Sequence, residues 1–82
     1  MNDAGLRTLD EIPKDGRAVV RRIDGGSQFA SRLAAMGIVV GASLTVLQNT
    51  RRGPMLVSVL DTRLALGRGE AQKIRVELSS PS

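Results

Sequence analysis

The 82-residue chain has no cysteine and no histidine, and Phe29 is its single aromatic residue. Without Cys and His it can form neither disulfides nor the zinc sites built from these residues. The usual nucleophile–base pairs of hydrolytic enzymes cannot be assembled either. One aromatic residue disfavours surfaces that stack nucleic-acid bases and grooves that hold Pro-rich peptides. The composition therefore predicts a protein that is not an enzyme, and it weighs against nucleic acid as a partner.

Long apolar runs and metal-ligand clusters are also absent from the sequence. No apolar run approaches the roughly 20 residues that span a bilayer, and the start of the chain does not have the pattern of a signal peptide. The eight acidic residues are scattered, without the spacing of a calcium loop. We therefore expect a cytoplasmic protein with no cofactor and no membrane insertion. A weak divalent-cation site would need carboxylates such as Asp61 and Glu70, and it is not predicted.

Positive charge is in excess, with a net charge of +4 from 12 basic and 8 acidic residues. Such an excess favours an anionic partner, which could be nucleic acid, an acidic protein face or a membrane surface. Arg51 and Arg52 fall at a predicted hairpin tip, and Arg68 falls in another loop. These arginines are candidates for binding an acidic protein or a phosphate. The alternative is that they are ordinary solvated loop residues.

Residues 25–41 contain the one convincing helix of the chain. Phe29, Leu33 and Met36 follow one another at i, i+4 and i+7, so they lie on one helical face. Since Phe29 is the only aromatic side chain, we expect it to stabilise the protein more in the core than on the surface. The sequence therefore predicts a short helix that covers one end of a small core. The alternative is that Phe29, Leu33 and Met36 form a docking surface.

The ends of this helix are marked by particular residue types. Ser27 is a candidate N-cap, since its hydroxyl can accept a hydrogen bond from a free amide of the first turn. Gly37 stands where a left-handed residue would end the helix, and Ile38 could then pack back onto Leu33. Gly41 is expected to supply a positive φ in a second turn.

The rest of the chain is typical of short strands separated by turns. A 3₁₀ or similar turn is predicted across Leu6–Ile12, a turn at 13–16 and one helical turn at 70–72. The predicted fold is mainly β, a small barrel of about five strands with one short inserted α-helix, in a single domain over 1–82. Its core is expected at about 6–78, with flexible tails at 1–5 and 79–82. The predicted strands are 17–24, 42–50, 55–61, 63–66 and 74–78.

The ordered motifs of the chain resemble the FeoA family of ferrous-iron-transport accessory proteins. The resemblance covers nearly the whole chain and is carried by Arg32-Leu33, Met36-Gly37-Ile38, Gly41, Gly53-Pro54, Arg63-Leu64-Ala65-Leu66-Gly67-Arg68, Glu70-Ala71 and Ile74-Arg75-Val76. It differs at Val40, where the family commonly has proline. The resemblance implies an SH3-like barrel and a partner, the FeoB membrane permease. Similar domains occur at the C-terminus of iron- and manganese-responsive repressors.

One apolar segment is the best candidate for a partner surface. Ile38, Val39 and Val40 are three successive β-branched residues, and they cannot all point inward. Together with Met55 or Leu56 they could form an exposed apolar patch of the kind that marks a partner site. Ordinary packing is the alternative for these residues.

Three functional hypotheses remain open on this evidence. The first is regulation of ferrous iron uptake by binding a FeoB-like permease, at a surface formed by Ile38, Val39, Val40, Arg51, Arg52, Met55 and Leu56. The second is a small-barrel regulatory or nucleic-acid-binding module that uses the arginine loops. The third is self-association through the 38–40 patch or an open strand edge. In all three hypotheses a structural role falls to Phe29, Leu33, Met36, Gly37 and Gly41.

Overall fold

A computed structural model describes residues 5–79 of the chain, so the predicted tails at 1–5 and 79–82 lie almost wholly outside the described residues. Six strands, two α-helices and a 3₁₀ turn follow one another. The strands are β1 Arg7–Thr8, β2 Arg17–Ile23, β3 Ser43–Gln48, β4 Met55–Val59, β5 Thr62–Leu66 and β6 Ile74–Leu78. The helical segments are the 3₁₀ turn Leu9–Glu11, α1 Ser27–Ala35 and α2 Arg68–Ala71.

All six strands belong to one antiparallel sheet, in the order β1-β6-β2-β3-β4-β5. Five of the strands are those predicted, and β1 was missed. The sheet curves over the core without closing into a barrel, so the prediction of a barrel is wrong in this respect. β1 has only two residues, and no described residue of β1 pairs with β5. Instead, the 3₁₀ turn that follows β1 contacts α2, which follows β5.

Strand β2 illustrates how the sheet bends. Ala18 and Val20 are fully buried, so their side chains form the core face of this strand. Beyond Val20 the register with β6 shifts by one residue, and the side chains of Arg21 and Arg22 are about half exposed. A β-bulge of this kind bends its strand and redirects the side chains that follow it. No arginine stem of β2 is therefore part of the core.

The core lies between the concave face of the sheet and α1. Leu33 is fully buried and Phe29 is 9% exposed, whereas Met36 is partly buried at the margin. Two cations lie over the Phe29 ring, with the Arg32 guanidinium carbon 5.5 Å and the Lys73 Nζ 5.3 Å from the ring centroid. The other buried side chains come from every strand of the sheet except β1 and from the turns that cover it: Leu9, Ile12, Ala18, Val20, Ile38, Leu44, Val46, Met55, Val57, Val59, Leu66, Ala71, Ile74 and Val76.

Helix α1 begins differently from the prediction and ends as predicted. Its N-cap is Gly26, with φ at 92°, and Ser27 is already the first helical residue, so the prediction of a Ser27 cap is wrong. At the other end Gly37 also has φ at 92°. The Gly37 amide donates to the Ala34 carbonyl at 3.0 Å, and the Ile38 amide donates to the Leu33 carbonyl at 2.9 Å. These are the two hydrogen bonds of a Schellman ending.

Replacement of Gly37 by valine is expected to destabilise the protein by about 1–3 kcal/mol, because a β-branched residue is forced into the left-handed region. The space is also tight, since a Cβ at Gly37 would lie 3.3 Å from Cδ1 of Leu60. Thermal unfolding followed by circular dichroism measures the loss. Gly69→Ala is the control, because that glycine lies within α2 and a Cβ there meets no atom within 4 Å. Equal melting of Gly37→Val and the parent would contradict this account of the helix exit.

Candidate functional site

The segment after Gly37 divides its three β-branched residues between the core and the surface. Ile38 is fully buried, whereas Val39 is 45% and Val40 62% exposed. The prediction that Ile38 takes part in an exposed partner surface is therefore wrong, because the Schellman ending turns its side chain onto the core. Val39 and Val40 are held outward by a turn in which the Ala42 amide donates to the Val39 carbonyl at 2.9 Å.

This turn is fixed to the sheet through Gly41. The Gly41 amide donates to the Val20 carbonyl at 2.7 Å, and the Val20 amide donates to the Ala42 carbonyl at 2.9 Å. Gly41 has φ at 95°, as predicted, so the turn has the positive φ that β-turns of type II require. The turn that carries the exposed valines is therefore held to β2 by two hydrogen bonds.

A shallow groove of about 510 Å³ runs beside the exposed valines. Its floor and walls are mainly apolar and come from the outer face of α1 at Ala30 and Ala34, together with Val39 and Val40. The end of β2 also lines the groove, at residues 21–23. The groove is therefore apolar for most of its lining, with Arg21 and Arg22 at its edge.

The β3–β4 hairpin supplies less of an apolar surface than predicted. Met55 is fully buried and Leu56 is partly buried, so the prediction that Met55 lies in a partner surface is wrong. In the sheet register Met55 stands opposite Leu66, and both side chains face the core. Arg51 and Arg52 are exposed in the connection, as predicted, and Arg51 has a left-handed φ of 69°. Partner binding by these two arginines stays a prediction.

Arg68 and Asn49 join this hairpin to the start of the chain. The Arg68 guanidinium donates to the Asn49 side-chain oxygen at 2.9 Å, to the Gly53 carbonyl at 3.4 Å and to the Asp10 carbonyl at 3.2 Å. The Asn49 amide group donates in turn to the carbonyls of Asp10 and Ile12, at 3.0 and 2.9 Å. Arg68 is thus used structurally, as a link between loops.

Four other arginines are paired with acids on the surface. Arg21 contacts Glu77 at 2.8 Å, Arg32 contacts Glu70 at 2.6 Å, and Arg22 and Arg75 both contact Asp24, at 3.0 and 3.4 Å. The pKa of Asp24 lies below its ordinary value, chiefly because the Arg22 side chain donates a hydrogen bond to its carboxylate. These pairs neutralise much of the positive charge along β2 and β6.

Between the predicted strands 55–61 and 63–66 the sequence predicts only a short connection at Asp61-Thr62, and nothing marks Leu60 as a turn residue, because the turn contains neither Gly nor Asn. Leu60 and Asp61 both have left-handed backbones, with φ at 51° and 62°, and Val59 pairs with Thr62. This is the backbone pattern of a two-residue type I′ hairpin, which strongly favours Asn and Gly. A left-handed conformation costs an ordinary residue about 1–2 kcal/mol. Leu60 is nevertheless 81% exposed, more than any other large apolar side chain among residues 5–79.

The described residues contain no group of three or more His, Cys, Asp or Glu side chains that could hold a metal ion. Glu70 is engaged elsewhere, since one oxygen accepts from Arg32 and the other accepts from the Gly67 amide at 3.0 Å. Within residues 5–79, no helix has the length and apolar character needed to cross a membrane.

Comparison with known proteins places the chain in a family. The model of the FeoA domain matches residues 7–78. The chain belongs to the FeoA family. A relative from Methanocaldococcus jannaschii, named "Putative Fe(2+) transport protein A", is 43% identical over 65 residues, which are 78% of this chain and 78% of that protein.

A second relative joins two proteins in one polypeptide. The Fe(2+) transport protein A/Fe(2+) transporter FeoB fusion protein of Porphyromonas gingivalis is 37% identical over 73 residues, which are 88% of this chain but only 9% of the fusion. The chain therefore corresponds to a small part of that protein.

Solved structures agree with the fold of this FeoA-family chain. An iron uptake regulatory protein (FeoA) superposes with a TM-score of 0.86 at 31% identity, over 90% of this chain and 99% of the other. FeoA of Stenotrophomonas maltophilia, described as a prokaryotic SH3 domain protein and solved with zinc, gives a TM-score of 0.75 at 32% identity, over 87% of this chain and 89% of the other. The fold is therefore SH3-like, as predicted, although its sheet is open.

Replacement of Arg68 by lysine is expected to loosen the β3–β4 hairpin, because an ammonium group cannot donate in the forked geometry to Asn49 and two carbonyls. The loss should be about 1–2 kcal/mol in urea unfolding. Hydrogen exchange of the Arg51 amide should be faster, because this amide donates to the Asn49 side-chain oxygen at 3.3 Å. Arg52→Lys is the matched control, since the Arg52 side chain is exposed in the β3–β4 connection itself. If the Arg68 and Arg52 variants unfold alike, the link has no energetic importance.

Proposed function

We propose that this chain is a non-enzymatic, cytoplasmic accessory protein of ferrous iron uptake that binds a FeoB-type permease. Membership of the FeoA family supports the role in iron transport. The fusion protein of P. gingivalis supports the choice of partner, because one polypeptide holds the two proteins at high effective concentration. Such a fusion is favourable when the two parts work in contact.

The surface around Val39 and Val40 is the best candidate for the contact with the permease. It combines two exposed valines with an apolar groove, and a domain this small has little apolar surface to spare. Exposed apolar patches on small soluble domains commonly mark partner sites. The turn is held by hydrogen bonds to β2, so little conformational entropy is lost when a partner binds.

The distribution of charge supports a protein partner over a nucleic acid. Arg21, Arg32 and Arg75 are already paired with carboxylates, and each carboxylate would repel a phosphate backbone. The chain also lacks the aromatic platforms on which bases stack. An apolar turn beside mixed charges is more typical of a protein interface.

Val40→Asp is expected to weaken binding to the FeoB-type permease of the same organism by tenfold or more, because it brings a carboxylate into the apolar contact. Binding is measured by biolayer interferometry with full-length permease in nanodiscs, in the GDP-bound and GTP-analogue states. Leu78→Asp is the control, since Leu78 is another exposed apolar side chain, on β6. Absence of binding by the parent chain in every nucleotide state would refute the proposed function.

A further inference from the structure

Leu60 is unusual in both conformation and exposure. Its backbone is left-handed, in a type of turn that favours Asn or Gly, and 81% of its surface is exposed. Its neighbour in the chain, Val59, is 1% exposed. Neither local conformation nor burial in the core accounts for a leucine at this position. A strained residue that does not serve folding is a reason to look for a function.

The position of Leu60 connects it to the candidate site. Its side chain lies over Gly37, where a Cβ would come 3.3 Å from Cδ1 of Leu60 and 3.8 Å from Cγ1 of Val59. Gly37 precedes Val39 by two residues. The β4–β5 turn and the exit of α1 are therefore neighbours, and both present exposed apolar side chains.

The charges near Leu60 distinguish between possible occupants. Arg63 is exposed on the same hairpin and forms no ion pair with any residue between 5 and 79. Two copies of this chain would each bring a net charge of +4 to a shared interface, which disfavours a second copy as the occupant.

We propose that Leu60 is an apolar anchor of the partner surface and inserts into an apolar pocket rimmed by carboxylates on the FeoB-type permease. This inference rests on the proposed function and adds the β4–β5 turn to the contact. A single well-placed apolar side chain can dominate an interface when it fills a pocket and excludes water. Arg63 then meets the acidic rim.

Leu60→Asn separates this role from a structural one. Asparagine adopts the left-handed conformation readily, so the variant should melt higher than the parent, by roughly 4 °C. Its affinity for the permease in nanodiscs should nevertheless fall by about tenfold or more. Leu60→Met retains an apolar side chain and should bind within about threefold of the parent. Leu78→Asn is the matched control, since it removes another exposed leucine and should leave binding unchanged.

Each outcome has a distinct meaning. If the parent binds and Leu60→Asn binds equally well, the anchor is refuted while the proposed function stands. If the parent does not bind, both are refuted. A variant that binds weakly but melts well below the parent shows that Leu60 is a packing residue, and this also refutes the anchor. Sedimentation of the parent as a dimer that Leu60→Asn dissociates would identify a second copy as the occupant and overturn the choice of the permease.

Discussion

The left-handed exit of α1 at Gly37 is the constraint on which both the fold and the candidate site depend. It ends the helix and directs the Ile38 side chain into the core. The Gly37 and Ile38 amides donate hydrogen bonds to the carbonyls of Ala34 and Leu33, respectively. Because Ile38 is buried, the two residues that follow it, Val39 and Val40, lie on the surface. The Gly41 amide then donates to the Val20 carbonyl of the sheet. A residue that could not adopt this conformation would misplace the helix and the exposed turn together.

The small size of the domain makes its exposed apolar side chains informative. A domain of this length buries only about 60% of the surface of its unfolded chain, so its stability rests on few core residues. Val40 and Leu60 contribute little to that core, since they are 62% and 81% exposed. Leu60 also occupies a backbone conformation that disfavours leucine. Side chains that give little stability and promote aggregation are best explained by a partner that covers them.

The sequence predicts the helix, its exit and five of the six strands because these features follow from local periodicity and from glycine. Strand β1 has only two residues, too few for any alternation to be visible, and its existence depends on pairing with β6. In the stretch 55–61 both faces are apolar, so alternation alone could not show that Met55 points inward. The predicted strand 55–61 runs through the turn at Leu60 because these residues carry no turn signal, and only the register of β4 with β5 forces the left-handed backbone.

Among residues 5–79 the open sheet ends in two edge strands, β1 and β5, and their composition disfavours pairing with a partner strand. An exposed edge can bind another strand, and proteins prevent this with short strands and charged side chains. β1 is only two residues long, and β5 carries the exposed Arg63 near its middle. Neither edge is therefore a favourable template for a partner strand. The restriction on exposed strand edges does not apply to the apolar side chains of the turns at 39–40 and at Leu60. Both turns are held by hydrogen bonds to the sheet, so a partner could bind there without a change in the sheet.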